Sequence, residues 1–377
     1  MGGIKFQIGK IQEGNAVIAL IDNNAANDDW VKGTNTKAIW SWHIWATRFG
    51  FDFEKDIRIL NHDEKPYDVM PVNLGWCSGG NTIRYYKRRK CDIKFKVGDK
   101  EITRTIEQYP FFAVPRGDHP FYQWGRKDPF VGSNTAWGNK TRWDHDGNVY
   151  GTGSGYNPPE LYDRPEFAKD DKRKHTKECL HVLIKNPDKF HNAPRKGVKF
   201  DDDDFPTEFE SINESPTDLW SFDGHKTVYD PCPPGYQVGD GDVFTGFTTN
   251  GSKGGEKGLY WYDVLEENML TNYYDTATVN SQVLELYTDT RKIQSITFPV
   301  SGYRDYDKMA GVYHFQSRGF VWTNEAQDKT NSYYLQFQRN KMGPKGDWKE
   351  RGAFLLPKDP FFNTDGCAVR PVRSSTK

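Results

Sequence analysis

The composition of the sequence predicts a compact, loop-rich fold that contains β-strands. Of its 377 residues only 36% are hydrophobic, yet 15% are aromatic, with 12 Trp, 20 Tyr and 24 Phe. Aromatic side chains bury much area each, so a few of them can hold irregular segments together. The chain also has 35 Gly and 21 Pro, which form turns and break helices. A disordered chain would lack the aromatic residues.

Residues 4–108 contain short apolar or alternating runs that predict strands. Residues 16–21 are continuously apolar, which is typical of a strand buried on both faces. Residues 39–45 alternate large apolar with smaller polar side chains and predict a second strand. We expect this strand to turn its three tryptophans into the core and His43 to the opposite side.

A β-hairpin is predicted later in the same part of the chain. Residues 91–97 and 101–106 both alternate strictly between apolar and polar side chains, and a turn at residues 97–100 separates them. This pattern is typical of a hairpin with one face in water.

The rest of the chain is less regular. Residues 109–157 are rich in Gly, Trp and Asp, whereas residues 158–216 are the most charged and predict a surface insertion. Residues 218–377 return to short apolar runs between turns. The chain shows neither a fixed-period repeat nor a low-complexity linker, so we expect one elaborated domain over residues 1–377.

Charge and cysteine content exclude several classes of protein. The 51 basic and 52 acidic residues give a net charge of -1, whereas general nucleic-acid or membrane-surface binders need a basic face. No apolar run is long enough to span a bilayer. Five cysteines without a Cys-x-x-Cys pattern do not form a dense disulfide framework. Because no signal peptide begins the sequence, we expect an export signal to lie upstream of it.

Several motifs occur in a fixed order along the chain. They are GNAVIA at 14–19, IWSWHIW at 39–45, VMPVNLG at 69–75, FYQWGRKDPF at 121–130, KTVYDPCPPGYQV at 226–238, SGYRD at 301–305, YYLQF at 333–337 and GCAVRPVR at 366–373. In this order they resemble the C-terminal domain of fimbrillin-type pilus tip proteins of gut anaerobic bacteria. That domain is similar to the major paralogous (FISUMP) domain and to the formylglycine-generating-enzyme branch of the C-type-lectin fold.

The resemblance implies an α+β, C-type-lectin-like fold with extensive irregular loops. It also implies a secreted, fimbrial protein of the cell surface that serves in cell adhesion, with no catalysis. Its partners would be a host or microbial receptor, protein or glycan, and other pilus subunits. Variable proteins of diversity-generating retroelements also resemble this fold. The chain departs from the family pattern at residues 71–75 and 320–323.

The recognition region is predicted within residues 300–373, in two polar loops at 314–328 and 340–352. Both loops mix aromatic residues with amides and charges, as antibody combining sites do. The predicted ligand-binding residues are Arg318, Trp322, Asn324, Gln327, Trp348 and Arg351.

Other charged motifs have a structural interpretation. A ligand clamp could be formed by Arg126 and Asp128, or by Arg304, Asp305 and Arg370. We instead expect them to be internal pins that satisfy loop carbonyls and amides.

The sequence favours neither a metal site nor an active site, and no cofactor is expected. Residues 144–148, 175–181 and 201–204 contain metal-ligand types without a calcium or zinc pattern. Motifs for nucleophilic catalysis, metalloproteases and phosphate loops are absent. Oxidising relatives of the fold hold copper with two cysteines near the C-terminus, but here Cys367 stands alone. Two alternatives remain: an enzyme acting on surface polymers, or a structural capping subunit recognisable by an exposed strand edge or apolar groove.

Overall fold

A computed structural model describes residues 13–21, 38–47, 55–78, 84–108, 111–113, 117–130, 132, 140–143, 149–153, 160–163, 187, 189–192, 219–222, 224–248, 251, 283–288, 294–305, 310–315, 318–327, 331–338 and 354–374. The strands in these ranges are β1 (Gly14–Ile21), β2 (Ala38–Ala46), β3 (Ile57–Leu60), β4 (Pro66–Val69), β5 (Arg84–Tyr86), β6 (Arg89–Val97), β7 (Lys100–Gln108), β8 (Phe111–Ala113), β9 (Tyr122–Gln123), β10 (Lys140–Trp143), β11 (Val149–Gly153), β12 (Glu160–Asp163), β13 (Lys189–Asn192), β14 (Ser221–Phe222), β15 (His225–Lys226), β16 (Tyr236–Val238), β17 (Val283–Tyr287), β18 (Ser295–Pro299), β19 (Tyr303–Arg304), β20 (Val312–Tyr313), β21 (Arg318–Ala326), β22 (Asn331–Gln338), β23 (Phe354–Phe362), β24 (Gly366–Val369) and β25 (Pro371–Arg373).

The described part of the chain is almost entirely β-structure. Strand accounts for 60% of it and helix for 2%, with one 3-10 turn at Thr245–Phe247 and no α-helix in the described ranges. The α+β class implied by the resemblance is therefore wrong, and the fold is β-rich. The physical reason is that Gly and Pro interrupt the chain at short intervals, and the apolar residues between them alternate with a period of two.

Two sheets share one C-terminal segment. The larger has seven strands in the order β20-β19-β24-β21-β22-β23, with β9 also paired to β24, and the smaller has the order β16-β25-β4-β3. Only Arg370 lies between β24 and β25. The segment is therefore interior to both sheets. It places Ala368 beside Val321 in a parallel pair and Val372 beside Val69 in an antiparallel pair.

The core between these elements is largely aromatic. One apolar cluster includes residues from Ile57 to Val372. Phe298 lies with its ring centroid 5.6 Å from that of Phe244 and 5.9 Å from that of Phe337. Such ring pairs contribute about 0.5–1.5 kcal/mol each beyond the area they bury. The wholly buried tryptophans are Trp76, Trp124, Trp220 and Trp322.

The predicted hairpin forms, and the two predicted strands β1 and β2 pair with each other, but the exposure of their faces differs from expectation. β1 pairs with β2, and Ile18 and Leu20 of β1 are exposed. The expectation that this strand is buried on both faces is wrong. β6 and β7 pair over their whole length around the turn at Gly98, as predicted, yet both faces of this hairpin are exposed rather than one.

Strand β2 turns His43 and Trp45 toward the body of the molecule. The Nε1 atom of Trp45 donates a hydrogen bond to the carbonyl oxygen of Trp76 at 2.9 Å. Trp40 and Trp42 point to the other face of the strand by alternation, and the ring centroid of Trp40 lies 4.6 Å from Nζ of Lys127. The expectation that all three tryptophans share one face is wrong, because position 45 is an odd number of residues from 40 and 42, and side chains alternate along a strand.

Part of the region predicted as a surface insertion packs into the molecule. β12 pairs in parallel with β13. Phe190 on β13 is wholly buried, and its ring centroid lies 4.9 Å from that of Phe130. The charged run at 170–174, the apolar island at 179–184 and the acidic run at 201–204 lie outside the described residues.

Candidate functional site

The predicted recognition residues are spread along one interior strand. Arg318, Trp322 and Asn324 lie on β21, and Gln327 directly follows it. β21 pairs with β22 on one side and with β24 on the other. The expectation of an irregular loop over residues 314–328 is therefore wrong for residues 318–326, which form β21.

Two of these residues belong to the scaffold. Trp322 has no exposed surface, and its Nε1 atom donates to the carbonyl oxygen of Tyr122 at 2.8 Å. Asn324 is buried, and its Nδ2 atom donates to the carbonyl oxygen of Val238 at 3.3 Å and to Asp240 at 3.2 Å. A side chain without exposed atoms cannot contact a ligand, so Trp322 is corrected from a binding residue to a core residue.

The remaining predicted residues do not converge in the described structure. Arg318 is half-buried at the start of β21 and Gln327 is exposed beyond its end. A strand rises about 3.3 Å per residue, which separates these two positions by roughly 30 Å. Trp348 and Arg351 lie outside the described residues.

Aromatic side chains from neighbouring strands of the same region do converge. The ring centroid of Tyr303 on β19 lies 4.7 Å from that of Phe320, 5.0 Å from that of Phe361 and 6.0 Å from that of His314. Tyr313 at the end of β20 lies 6.4 Å from Tyr303 by the same measure. We call the whole group the aromatic face; it comprises Tyr303, Tyr313, His314, Phe320, Tyr334 and Phe361.

The aromatic face has a buried and an exposed layer. Phe320 and Tyr334 are each 2% exposed and form the lower layer. Tyr313 is 37% exposed, His314 is also exposed, and Phe361 is half-buried above them. Because the buried rings are fixed by core packing, they hold the exposed rings in a defined arrangement.

The backbone at the rim of this face is constrained. His314 has a φ of 53° and Gly302 a φ of 72°. A Cβ atom at Gly302 would collide with the carbonyl oxygen of Tyr313, so glycine allows the β20 turn to approach closely. The backbone N–H of Arg318 donates to the carbonyl oxygen of His314 at 3.0 Å. A non-glycine residue at positive φ is held by its surroundings and is often found at functional sites.

Polar acceptors lie beside the rings. The hydroxyl of Tyr303 donates to Oδ2 of Asp305 at 3.2 Å. The hydroxyl of Tyr334 lies 2.9 Å from Oε1 of Gln336 and 3.1 Å from Oδ2 of Asp359. Burial raises the pKa of Asp359, which outweighs the lowering by Tyr334. Burial also raises the pKa of Tyr303, so its phenol is a neutral donor. Asp359 is half-buried, whereas the other polar groups named here are buried, so the site can stack on an apolar surface and bond to a ligand hydroxyl or amide at Asp359.

A second polar cluster has the parts of an activated nucleophile but is enclosed. The hydroxyl of Ser41 donates to Oδ1 of Asp128 at 2.6 Å, and Nζ of Lys127 donates to both oxygens of Asp128 and to Ser41. Burial lowers the pKa of Lys127, against the effect of Asp128. Ser41 is only 1% exposed. A substrate cannot reach its oxygen, and the cluster instead ties β2 to the segment 117–130.

A histidine-centred chain makes a second tie between the same elements. The hydroxyl of Tyr122 bonds to Nδ1 of His43 at 3.0 Å, and Nε2 of His43 bonds to Oδ1 of Asn15 at 2.9 Å. Nδ2 of Asn15 donates to the carbonyl oxygen of Gly75 at 2.7 Å, which fixes the orientation of the amide. Burial lowers the pKa of His43 to about 4, so the ring is neutral at pH 7. Nε2 then donates and Nδ1 accepts.

An acidic turn between β16 and the 3-10 turn is already satisfied by protein donors. Tyr67 donates to Oδ1 of Asp242 at 2.5 Å, and Asn61 donates to Oδ2 of Asp242 at 2.6 Å. Lys65 pairs with Asp240 at 3.0 Å. Within the described ranges no group of three or more ligand-type side chains could hold a metal ion. The motifs at 144–148, 175–181 and 201–204 lie outside those ranges.

The buried arginines are internal pins, as predicted. Arg126, Arg304 and Arg370 are all at most 3% exposed. Arg370 donates to the carbonyl oxygens of Met70 at 3.0 Å and Thr297 at 2.7 Å. Burial lowers the pKa of Arg304 to about 10 and that of Arg370 to about 9, so both remain charged at pH 7.

Burial raises the pKa of three of the four described thiols, those of Cys77, Cys232 and Cys367. Cys77, Cys91, Cys232 and Cys367 are free, while Cys179 lies outside the described residues. Burial raises the pKa of Cys367 well above that of an ordinary thiol, and raises that of Cys77 to about 12. Thiols in this state are poor nucleophiles.

The sequence held one signal for the aromatic face that the loop-based prediction missed. Phe361 and Phe362 are adjacent and end a strand before a turn. Side chains alternate between the two faces of a strand, so two successive aromatic residues predict an aromatic side chain on each face of the sheet.

Comparison with protein-family models, with curated proteins and with solved structures finds no match to this chain. Among the described residues, no helix has the length and apolar character needed to cross a membrane.

Proposed function

We propose that this chain is an extracellular ligand-binding domain of the adhesion type, exported to the cell surface as part of a fimbrial tip or a related protein. It binds a host or microbial receptor, protein or glycan, without catalysis. The motifs at 121–130, 226–238 and 366–373 support the family, and the aromatic face supports the mode of binding.

The single observation that carries the proposal is the layered construction of the aromatic face. The exposed rings of Tyr313 and His314 and the half-buried ring of Phe361 rest on buried rings, so little side-chain entropy is lost when a ligand binds. The half-buried carboxyl of Asp359, held by the buried hydroxyl of Tyr334, provides a polar group at its border. Rigid aromatic residues of this kind dominate binding energy at recognition surfaces.

The enzyme alternative has less support. Ser41, Lys127 and Asp128 are the described residues that most resemble catalytic machinery, and each is at least 92% buried. An enzyme requires its nucleophile to meet the substrate. We therefore assign this cluster to stability and the aromatic face to binding.

The test is binding of the purified domain to a glycan array and to panels of host and bacterial cells. We expect a defined ligand and a loss of roughly tenfold or more in affinity for Tyr313→Ala, because truncating a central aromatic anchor costs about 1–2 kcal/mol or more.

The matched control is Phe95→Ala, which removes an exposed aromatic ring from β6, outside the aromatic face. It should leave the affinity unchanged. The proposal fails if the folded wild-type domain binds nothing on any panel, or if Tyr313→Ala binds as tightly as the wild type.

A further inference from the structure

The hairpin of β6 and β7 is exposed along its whole length. None of its residues is buried, and Phe95, Val97, Ile102 and Ile106 are 52%, 79%, 51% and 56% exposed. Within the described ranges the two strands pair only with each other. A two-stranded hairpin is marginally stable in water by itself, and most exposed apolar patches of this kind serve an interface.

The register of the hairpin sorts its side chains into two different faces. Residues directly opposite each other point to the same side, as Phe95 and Ile102 do, or Ile93 and Arg104. On the side that collects the apolar residues, we call the stretch from the Cys91–Ile106 pair to the turn the docking face; it comprises Cys91, Ile93, Phe95, Val97, Lys100, Ile102, Arg104 and Ile106.

The charges on the two faces are arranged differently. On the opposite side Lys94 pairs with Glu101 at 3.0 Å and Lys90 with Glu107 at 3.7 Å, so its charges are largely neutralised. The docking face carries Lys100 and Arg104 and no carboxylate. Neither cation has a carboxylate partner among the described residues. The face is therefore apolar with an uncompensated positive charge.

We propose that the docking face binds a β-surface of another protein that presents apolar side chains together with Asp or Glu. Two sheets pack face to face about 10 Å apart with interdigitating side chains, and the β-branched residues Ile93, Val97 and Ile102 suit this packing. Carboxylates of the partner would pair with Lys100 and Arg104.

Two other occupants match the docking face less well. A second copy placed face to face would bring the cations of both copies together, which is unfavourable in a desolvated interface. A lipid surface is disfavoured because the docking face has no Trp or Tyr, the residues that anchor proteins at the membrane interface. This inference concerns a surface outside the aromatic face and does not depend on the proposed function.

The test uses a synthetic monomeric β-hairpin peptide whose one face carries valine and glutamate, labelled for fluorescence anisotropy. The full chain should bind it, and should bind a matched valine–lysine peptide at least roughly tenfold more weakly. Phe95→Thr combined with Ile102→Thr should lower the affinity by roughly tenfold or more. The charge reversal Lys100→Glu with Arg104→Glu should shift the preference to the lysine peptide.

Tyr313→Ala is the control and should leave peptide binding unchanged. Equal binding of both peptides, or binding of neither, would overturn the proposal. So would binding to anionic phospholipid vesicles in place of the peptide, or a concentration-dependent dimer that Phe95→Thr disrupts. All substituted hairpin residues are exposed, so unchanged unfolding curves should accompany each variant.

Discussion

The two N-terminal hairpins are similar in length but opposite in their attachment. β1–β2 is fastened by side chains, since Asn15, Ser41, His43 and Trp45 all bond to groups of the body. Among the residues that the structure describes, the ion pairs of β6–β7 lie within the hairpin or join it to the adjacent Arg88. Both expose apolar residues, so exposure alone does not distinguish them.

The difference shows that polar contacts, rather than hydrophobic content, decide which hairpin belongs to the rigid body. A buried hydrogen bond has strict geometry and fixes an orientation, whereas apolar contact is non-directional. β1–β2 is therefore integral to the fold. β6–β7 keeps its apolar side chains accessible.

The largest expected effect is on the buried cluster beneath β2. Asp128→Ala should lower the free energy of unfolding by about 3–5 kcal/mol, because it leaves Lys127 buried without its ion-pair partner. Urea unfolding followed by tryptophan fluorescence would measure it. A loss below about 1 kcal/mol would contradict the view that this cluster anchors the hairpin.

The second effect is a pH dependence of stability that arises from His43 on β2. The folded pKa of His43, about 4, lies below its ordinary value of 6.5, so the unfolded chain binds more protons between these pH values. The stability contributed by neutral His43 is complete above pH 6.5 and is lost as the pH falls toward 4. The full effect is about 3 kcal/mol at 1.36 kcal/mol per pKa unit.

Comparison with His43→Gln isolates this contribution from that of His119, whose pKa burial also lowers to about 4. Urea unfolding at pH 7 and pH 4.5 should show a smaller pH-dependent loss for the variant than for the wild type. Identical losses would mean that the pKa of His43 does not differ between the folded and the unfolded chain.

The smallest effect is expected in β6–β7. Glu101→Ala breaks the exposed pair with Lys94 and should change the free energy of unfolding by less than about 0.5 kcal/mol. The same urea measurement applies. A loss comparable with that of Asp128→Ala would show that this hairpin is an integral part of the core.

Local patterns in the sequence predicted several elements correctly. Strict alternation around a Gly–Asp turn identified β6–β7, and fork-shaped cations in turn-rich segments identified Arg126, Arg304 and Arg370 as internal pins. Both signals depend on short-range geometry. The burial of β1 was not predictable in this way, because a run of apolar residues does not show whether a second layer covers it.

The candidate site depends on pairing between strands that are distant in the sequence, which local sequence patterns do not reveal. Tyr303, Phe320 and Phe361 meet because β19, β21 and β23 belong to one sheet, and the order of strands in that sheet follows from packing distant in sequence. The mixture of aromatic and polar residues at 318–327 suggested a loop, yet it belongs to a strand whose polar groups bond inward. The prediction of a single domain, the family resemblance and the cell-surface location stay predictions.

β24 is an interior strand of the larger sheet and β25 of the smaller one. This position governs the order in which the fold forms. Val69 and its partner Val372 are about 300 residues apart in the chain, so their pairing closes a very long loop. Contacts of such high separation form slowly. Until they form, the edge of β4 and the aromatic residues of the core remain uncovered. Uncovered strand edges and apolar surface favour aggregation, so substitutions that slow this last strand pairing should reduce the yield of soluble protein more than the stability of the finished fold.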